Sequence, residues 1–114
     1  MGVATTVSNT YGVAIEACST CARGCWECFE ACMSNSNIEP RAKCIKMLVE
    51  CARECELAAA ELASNAMFAK DHCKMCAAVC TICAKDCEMF KEDHCQHCAE
   101  VCRECARQCK EIAG

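Results

Sequence analysis

Residues 71–87 read DHCKMCAAVCTICAKDC, and residues 93–109 read DHCQHCAEVCRECARQC. Both follow D-H-C-x-x-C-A-x-V-C-x-x-C-A-x-x-C, displaced by 22 residues. The cysteines of the first are Cys73, Cys76, Cys80, Cys83 and Cys87; those of the second are Cys95, Cys98, Cys102, Cys105 and Cys109. Steps of three and four residues keep returning to one stripe of an α-helix, whereas in a strand they scatter over both faces. A third copy of the spacing lies at 18–32, CSTCARGCWECFEAC, with Cys18, Cys21, Cys25, Cys28 and Cys32. In a helical bundle such a stripe is the buried seam, where leucine ordinarily sits. Here thiols take that place.

Outward from these stretches the chain divides into four helical segments. The first runs from about Thr10 to Met33 and stops in the polar turn Ser34-Asn35-Ser36-Asn37. The second begins near Glu39-Pro40, since proline suits a first turn, and continues to about Ala63. Its stripe is Cys44, Leu48, Cys51, Cys55, Ala58 and Leu62, so it keeps the seam with only three cysteines. Ser64-Asn65 interrupts the pattern, and the third segment spans about Met67 to Phe90. The fourth starts at Asp93, a cap residue with Gln96 three positions on as in a capping box, and ends near Ile112. A 22-residue period is one helix plus a tight turn, and short connections make neighbours antiparallel. The expected fold is all-α: an antiparallel up-down-up-down four-helix bundle with a cysteine-lined core, as a single domain over 1–114. Residues 1–9 are expected to form a poorly ordered or short-helical extension.

Composition supports this reading. Leu, Ile, Val and Phe together number 17, one fewer than the 18 cysteines. Free cysteine behaves as a small buried hydrophobe, so thiols must supply much of the core. The formal charge of -4, with one Trp and one Tyr, is wrong for a nucleic-acid surface. No apolar run is long enough for a bilayer, so no membrane association is expected. The start lacks a basic and then apolar leader, and Gly2 with Thr6 reads as an ordinary small residue after the initiator. A cytoplasmic location with reduced thiols is the expectation. The alternating charges Glu100, Arg103, Glu104, Arg107 and Lys110 read as a solvated helix face. The alanines after Cys21, Cys76, Cys83, Cys98 and Cys105 are helix formers that also permit close packing.

Inward thiols in such number have three readings. Disulfides between cysteines three or four apart on a helix fit the required dihedral poorly. Redox-active C-x-x-C motifs of the thioredoxin type need a βαβ context that is missing, although a thiol redox sensor remains an alternative. Soft metal ions are the third reading, because thiolates select Cu(I), zinc and iron–sulfur clusters. Burying uncompensated thiolates is costly. A closed Zn(Cys)4 site carries a formal charge of -2, whereas one Cu(I) per thiolate leaves the core neutral. About four zinc ions per chain would follow if closed tetrathiolate sites formed, so a zinc or general heavy-metal thiolate buffer is the second alternative. No catalytic constellation stands beside the ladder, and no enzyme activity is expected.

The ladder of C-x-x-C-x-x-x-C repeated over four helices resembles the bacterial copper storage proteins, closest to their cytosolic branch. The resemblance covers about Ala14 to Ile112. It implies a four-helix bundle, often a homotetramer, that stores and buffers many Cu(I) ions on interior cysteines. Carried over by position, the ligands are Cys18, Cys21, Cys25, Cys28 and Cys32, then Cys44, Cys51 and Cys55. Cys73, Cys76, Cys80, Cys83 and Cys87 follow on the third helix, and Cys95, Cys98, Cys102, Cys105 and Cys109 on the fourth. The expected partners are copper ions, further copies of the chain, and a copper chaperone or efflux system.

An antiparallel bundle gathers Cys32, Cys44, Cys87 and Cys95 at one end, with Met33, Met47, Met89 and His94 nearby. The other end gathers Cys18, Cys73 and Cys109, where Leu62, Ile112, Tyr11 and Met67 or Phe68 can act as a plug. The copper entrance is therefore expected at the first end. His94 is the candidate accessory ligand, with His97 weaker and His72 weaker still. Cys95 sits in a first helical turn, where the macrodipole favours thiolate. The three methionines read more readily as gap-filling core than as soft transfer ligands.

Overall fold

The computed structural model describes residues 10–114; the readings of Gly2, Thr6 and the 1–9 extension lie outside the described residues. Four long helices follow one another: α1 (Gly12–Met33), α2 (Ala42–Ala63), α3 (Ala69–Glu88) and α4 (Asp93–Ala113). A short 3-10 turn, Glu39–Arg41, carries Pro40 and leads directly into α2. The boundaries lie within a few residues of those expected from the cysteine periodicity.

Cross-helix contacts fix the directions. From one end to the other, Cys18 meets Cys109, Cys25 meets Cys102 and Cys28 meets Cys95, so α1 and α4 run in opposite senses. Cys44 meets Cys87, Cys51 meets Cys80 and Cys55 meets Cys76, so α2 and α3 do too. All eighteen cysteines are at most 2% exposed, and with Leu48, Leu62 and a set of alanines they form one continuous core. The α2 stripe is buried from Cys44 to Leu62 as its spacing requires. The alanines that follow cysteines, Ala22, Ala77, Ala84, Ala99 and Ala106, are buried as well, so they serve packing and not propensity alone.

Close helix approach has a further cause that periodicity does not reveal. A Cβ on Gly24 of α1 would come within 2.9 Å of Val101 Cγ2 of α4, inside van der Waals contact. Glycine in a helix interior costs up to about 1 kcal/mol relative to alanine. Contact between the two thiol-bearing helices offsets that cost.

The connections obey local rules. α2 ends in a Schellman arrangement: Asn65 adopts φ 53°, Ala66 N–H donates to Glu61 O at 2.9 Å, and Asn65 N–H donates to Leu62 O at 3.3 Å. Asparagine is among the few non-glycine residues that tolerate this left-handed position. The expected capping box of α4 is not formed. Asp93 is already helical, and the preceding Glu92 is the extended N-cap residue, without a side-chain cap bond. Gln96 Nε2 instead donates backward to Phe90 O at 2.7 Å and Glu88 O at 3.3 Å, tying α4 to the end of α3. These carbonyls at the α3 terminus lack partners within their own helix, which is why a neighbouring amide is drawn to them. On the outer face of α4, Arg107 pairs with Glu104 and Glu111, while Arg103 reaches across to Glu88 of α3.

Candidate metal centre

The core is a column of sulfur atoms. Neighbouring Sγ atoms lie 3.5–4.0 Å apart, and all eighteen thiols are free of disulfides. Triangles recur. Cys21, Cys51 and Cys80 are separated by 4.0, 3.9 and 3.6 Å, joining α1, α2 and α3. Cys55, Cys76 and Cys105 are separated by 3.7, 3.8 and 3.9 Å, joining α2, α3 and α4. Cys25, Cys98 and Cys102 repeat the figure at 3.8, 3.9 and 4.0 Å. The centre of such a triangle lies about 2.2 Å from each sulfur, close to the roughly 2.3 Å of a first-row metal–thiolate bond.

Four-thiol groups are also present, and they overlap. Cys18, Cys76, Cys105 and Cys109 form one; Cys21, Cys55, Cys80 and Cys105 form the next. Cys21, Cys25, Cys51 and Cys102 follow, then Cys25, Cys83, Cys98 and Cys102. Cys105, Cys21, Cys25 and Cys102 each belong to two groups. Of these four groups, no more than two can therefore close at once as separate tetrathiolate sites. Bridging thiolates and three-coordinate ions use the column more fully.

The two ends differ. At the first, Cys28, Cys32, Cys95 and His94 form a mixed group. His94 Nδ1 lies 3.4 Å from Cys28 Sγ and 3.5 Å from Cys95 Sγ. Beside it, Cys44 and Cys87 pair at 3.8 Å. His97 is exposed on the surface of α4, and His72 Nδ1 faces Glu54 Oε2 at 3.5 Å. Met47 is half-buried against the core; Met33 is exposed, and Met89 is 77% exposed. At the opposite end, Leu62 is buried, and Tyr11 and Ile112 pack against the core as the expected plug. Met67 and Phe68 do not join that plug. They are 87% and 59% exposed, because Ala69, not either of them, turns inward where α3 begins.

Sequence reasoning missed the residue that covers the first end. Arg41 is only 8% exposed. Its Nη1 donates to Cys95 Sγ at 3.6 Å and to Cys32 Sγ at 3.9 Å, its Nη2 pairs with Glu92, and its Cζ lies 4.5 Å above the Phe90 ring. Burial disfavours the guanidinium charge, but Glu92, Cys32 and Cys95 outweigh it and raise its pKa. The only available sequence signal was a lone arginine next to Pro40, which reads as surface.

The thiolate expected at Cys95 is not favoured in the metal-free protein. Burial, followed by the neighbouring Cys32, pushes its pKa up to about 11. These effects exceed those of the Cys28 and Arg41 hydrogen bonds, which lower it. Cys73 at the other end is likewise raised, chiefly by burial. Asp86, next to Cys87, was not anticipated either: its Oδ1 meets Lys43 Nζ at 3.4 Å, while its buried Oδ2 has no hydrogen-bond partner among the described residues.

Known proteins share this fold. A family model described as Csp, copper storage protein, matches residues 7–114. The chain resembles the Cu(I)-bound copper storage protein BsCsp3 with a TM-score of 0.90 and 36% identity, over 93% of this chain and 100% of that one. That protein's apo form, from Bacillus subtilis, gives a TM-score of 0.86, also at 36% identity, over 90% of this chain and 98% of that one. A Streptomyces lividans relative, Ccsp, loaded with 10 copper equivalents, gives a TM-score of 0.82 at 33% identity, over 88% of this chain and 80% of that one. A structure of a cytosolic copper storage protein from the same organism, with five coppers, gives the same score and identity over 88% of each chain. A cysteine-rich Bacillus subtilis protein, YhjQ, is 38% identical over 73 residues, 64% of this chain and 68% of its own length. The match over 7–114, on a bundle whose seam is built of thiols, means that this chain belongs to the copper storage protein family.

Proposed function

We propose that the chain stores and buffers Cu(I), holding many ions per molecule on the thiolates inside the bundle. The observation that carries this is the column itself: eighteen buried thiols, among which sulfur triangles recur across two or three helices. Thiolate is a soft ligand suited to Cu(I), and one monovalent ion per thiolate leaves the core neutral. The ligands are the eighteen cysteines from Cys18 to Cys109, with His94 joining Cys28, Cys32 and Cys95 at one end. Overlap among the four-thiol groups favours this reading over a set of closed zinc sites.

Titration of the reduced, metal-free protein with Cu(I) against a competing chelator tests the reading. Saturation well above the four ions of a simple tetrathiolate buffer is expected, and saturation at one or two ions per chain would overturn storage. Elemental analysis of protein isolated from cells separates copper from zinc.

The same proposal includes a cytoplasmic location, supported by the cytosolic Streptomyces lividans relative. No described helix is long and apolar enough to cross a membrane. It also includes homotetramer assembly, which the resemblance to the copper storage proteins implies, and exchange with a copper chaperone or efflux system, which a store of copper calls for. Light scattering on the purified protein and copper transfer from a candidate chaperone test these two parts. No step of storage calls for catalysis.

A further inference from the structure

Arg41 is unlike the other basic side chains that form ion pairs here. The side chains of Arg23, Lys43, Arg103 and Arg107 are between 49% and 82% exposed, whereas that of Arg41 is 10% exposed. It turns inward from the 3-10 turn before α2 and directs one nitrogen at two sulfurs of the mixed histidine–cysteine group. We infer that Arg41 is an exchangeable cation at the mouth of the column, a positioning residue that holds the place of the first Cu(I) and must be displaced for copper to enter. This rests on the storage reading above.

The argument is one of competition. Guanidinium carries one positive charge, as Cu(I) does, and its N–H groups engage the sulfur lone pairs of Cys32 and Cys95 that copper would use. Copper bound to Cys28, Cys32, Cys95 and His94 would lie within a few ångströms of that charge, and like charges at such distance in a desolvated site repel. The two cations are therefore alternative occupants. The structure also supplies a resting place for the displaced one. Glu92 is 40% exposed and already binds the other nitrogen of Arg41, so the guanidinium can swing outward on that carboxylate while leaving the sulfurs. Phe90 beneath the guanidinium plane favours the inward position until then. The exchange involves no redox change. Bonds from Cu(I) to its delivering ligands break, bonds to Cys32 and Cys95 Sγ form, and the displaced thiol protons pass to the buffer. Hard cations with little affinity for sulfur cannot displace the guanidinium, so Arg41 also contributes to selectivity.

The test uses the reduced full chain and Cu(I) supplied as its bicinchoninate complex. Stopped-flow uptake should be about tenfold faster in Arg41→Met than in the wild type, with the saturating copper number unchanged. Arg41→Lys, which keeps the charge but not the planar fork, should fall between them. Glu92→Gln, which removes the resting place of the displaced guanidinium and leaves Arg41, should slow uptake by a few-fold. A structural role is separated by NMR. The Arg41 side-chain signals, shifted by the Phe90 ring in the metal-free protein, should lose that shift with the first Cu(I) equivalents. A residue that merely braces the α2 start would keep it. Slower or unaltered uptake in Arg41→Met, or a ring shift that persists on loading, overturns the inference. If Arg41→Met does not fold, the NMR measurement on the wild type decides alone. Failure of the wild type to take up more than two ions overturns storage itself and is seen before any variant is compared.

Discussion

The two ends of the sulfur column are built from similar thiols and closed by opposite chemistry. Cys18, Cys73 and Cys109 lie under Leu62, Tyr11 and Ile112, so that end is sealed by apolar packing. Cys32 and Cys95 lie under Arg41, Glu92 and His94, so that end is sealed by charges and a titratable ring. Removing an apolar seal costs burial energy and leaves a cavity. A charged seal can be exchanged for another charge. Burial alone does not distinguish the ends, since the cysteines of both are fully covered. What differs is whether an arriving cation can replace the cover.

The largest effect that would sharpen this contrast is expected at the sealed end. Leu62→Ala should cost about 2–5 kcal/mol in the metal-free protein, as for other buried leucine truncations. Chemical denaturation measures it; a loss below 1 kcal/mol would mean that Leu62 is not a packed seal. Next in size is a pair of thiol replacements. Cys95→Ser should slow the first phase of Cu(I) uptake by about tenfold, whereas Cys109→Ser should leave that phase unchanged while lowering the saturating copper number. Equal effects on the first phase would break the distinction between the ends. His94→Ala should slow the same phase by a few-fold, and His72→Ala should not. The smallest effect is common to both ends. Cys95, raised from 9.0 to about 11 when folded, prefers its neutral form in the folded chain, and Cys73 shifts the same way. The contribution of Cys95 to stability is present below pH 9 and is lost as pH rises through about 11, and that of Cys73 is lost in the same direction. Thermal melts of the metal-free protein should therefore fall more between pH 9 and about 11 in the wild type than in Cys95→Ala. Melting that rises in that interval would contradict the shifts.

Most of the fold was legible because the decisive pattern is local and repeated. Steps of three and four fix a helical face wherever they occur, and α2 revealed its seam through Leu48, Ala58 and Leu62 even with fewer cysteines. The family model matches residues 7–114, the stretch that carries that pattern. What escaped was set by partners distant in sequence. Arg41 turns inward because Phe90, Glu92 and Cys95, about fifty residues onward, meet it there. Gln96 satisfies the end of α3 instead of its own helix because two loose carbonyls lie closer. Met67 and Phe68 looked like a plug by composition, but the phase of α3 presents Ala69 to the core. The clearance at Gly24 depends on Val101, 77 residues away in sequence, and no spacing rule connects them.

The small residues between the cysteines have a consequence for which ions fit. Ala52 and Ala99 are wholly buried, Ala22, Ala77, Ala84 and Ala106 nearly so, and Gly24 admits Val101 without room for one more carbon. Together they act as a gauge that sets the bore of the bundle. The sulfur triangles keep edges below about 4 Å only while the helices approach this closely. The number of ions held is thus a matter of the cysteines, but their size is a matter of residues that never touch metal. A redesign aimed at a larger soft cation would begin with the alanines and leave every thiol in place.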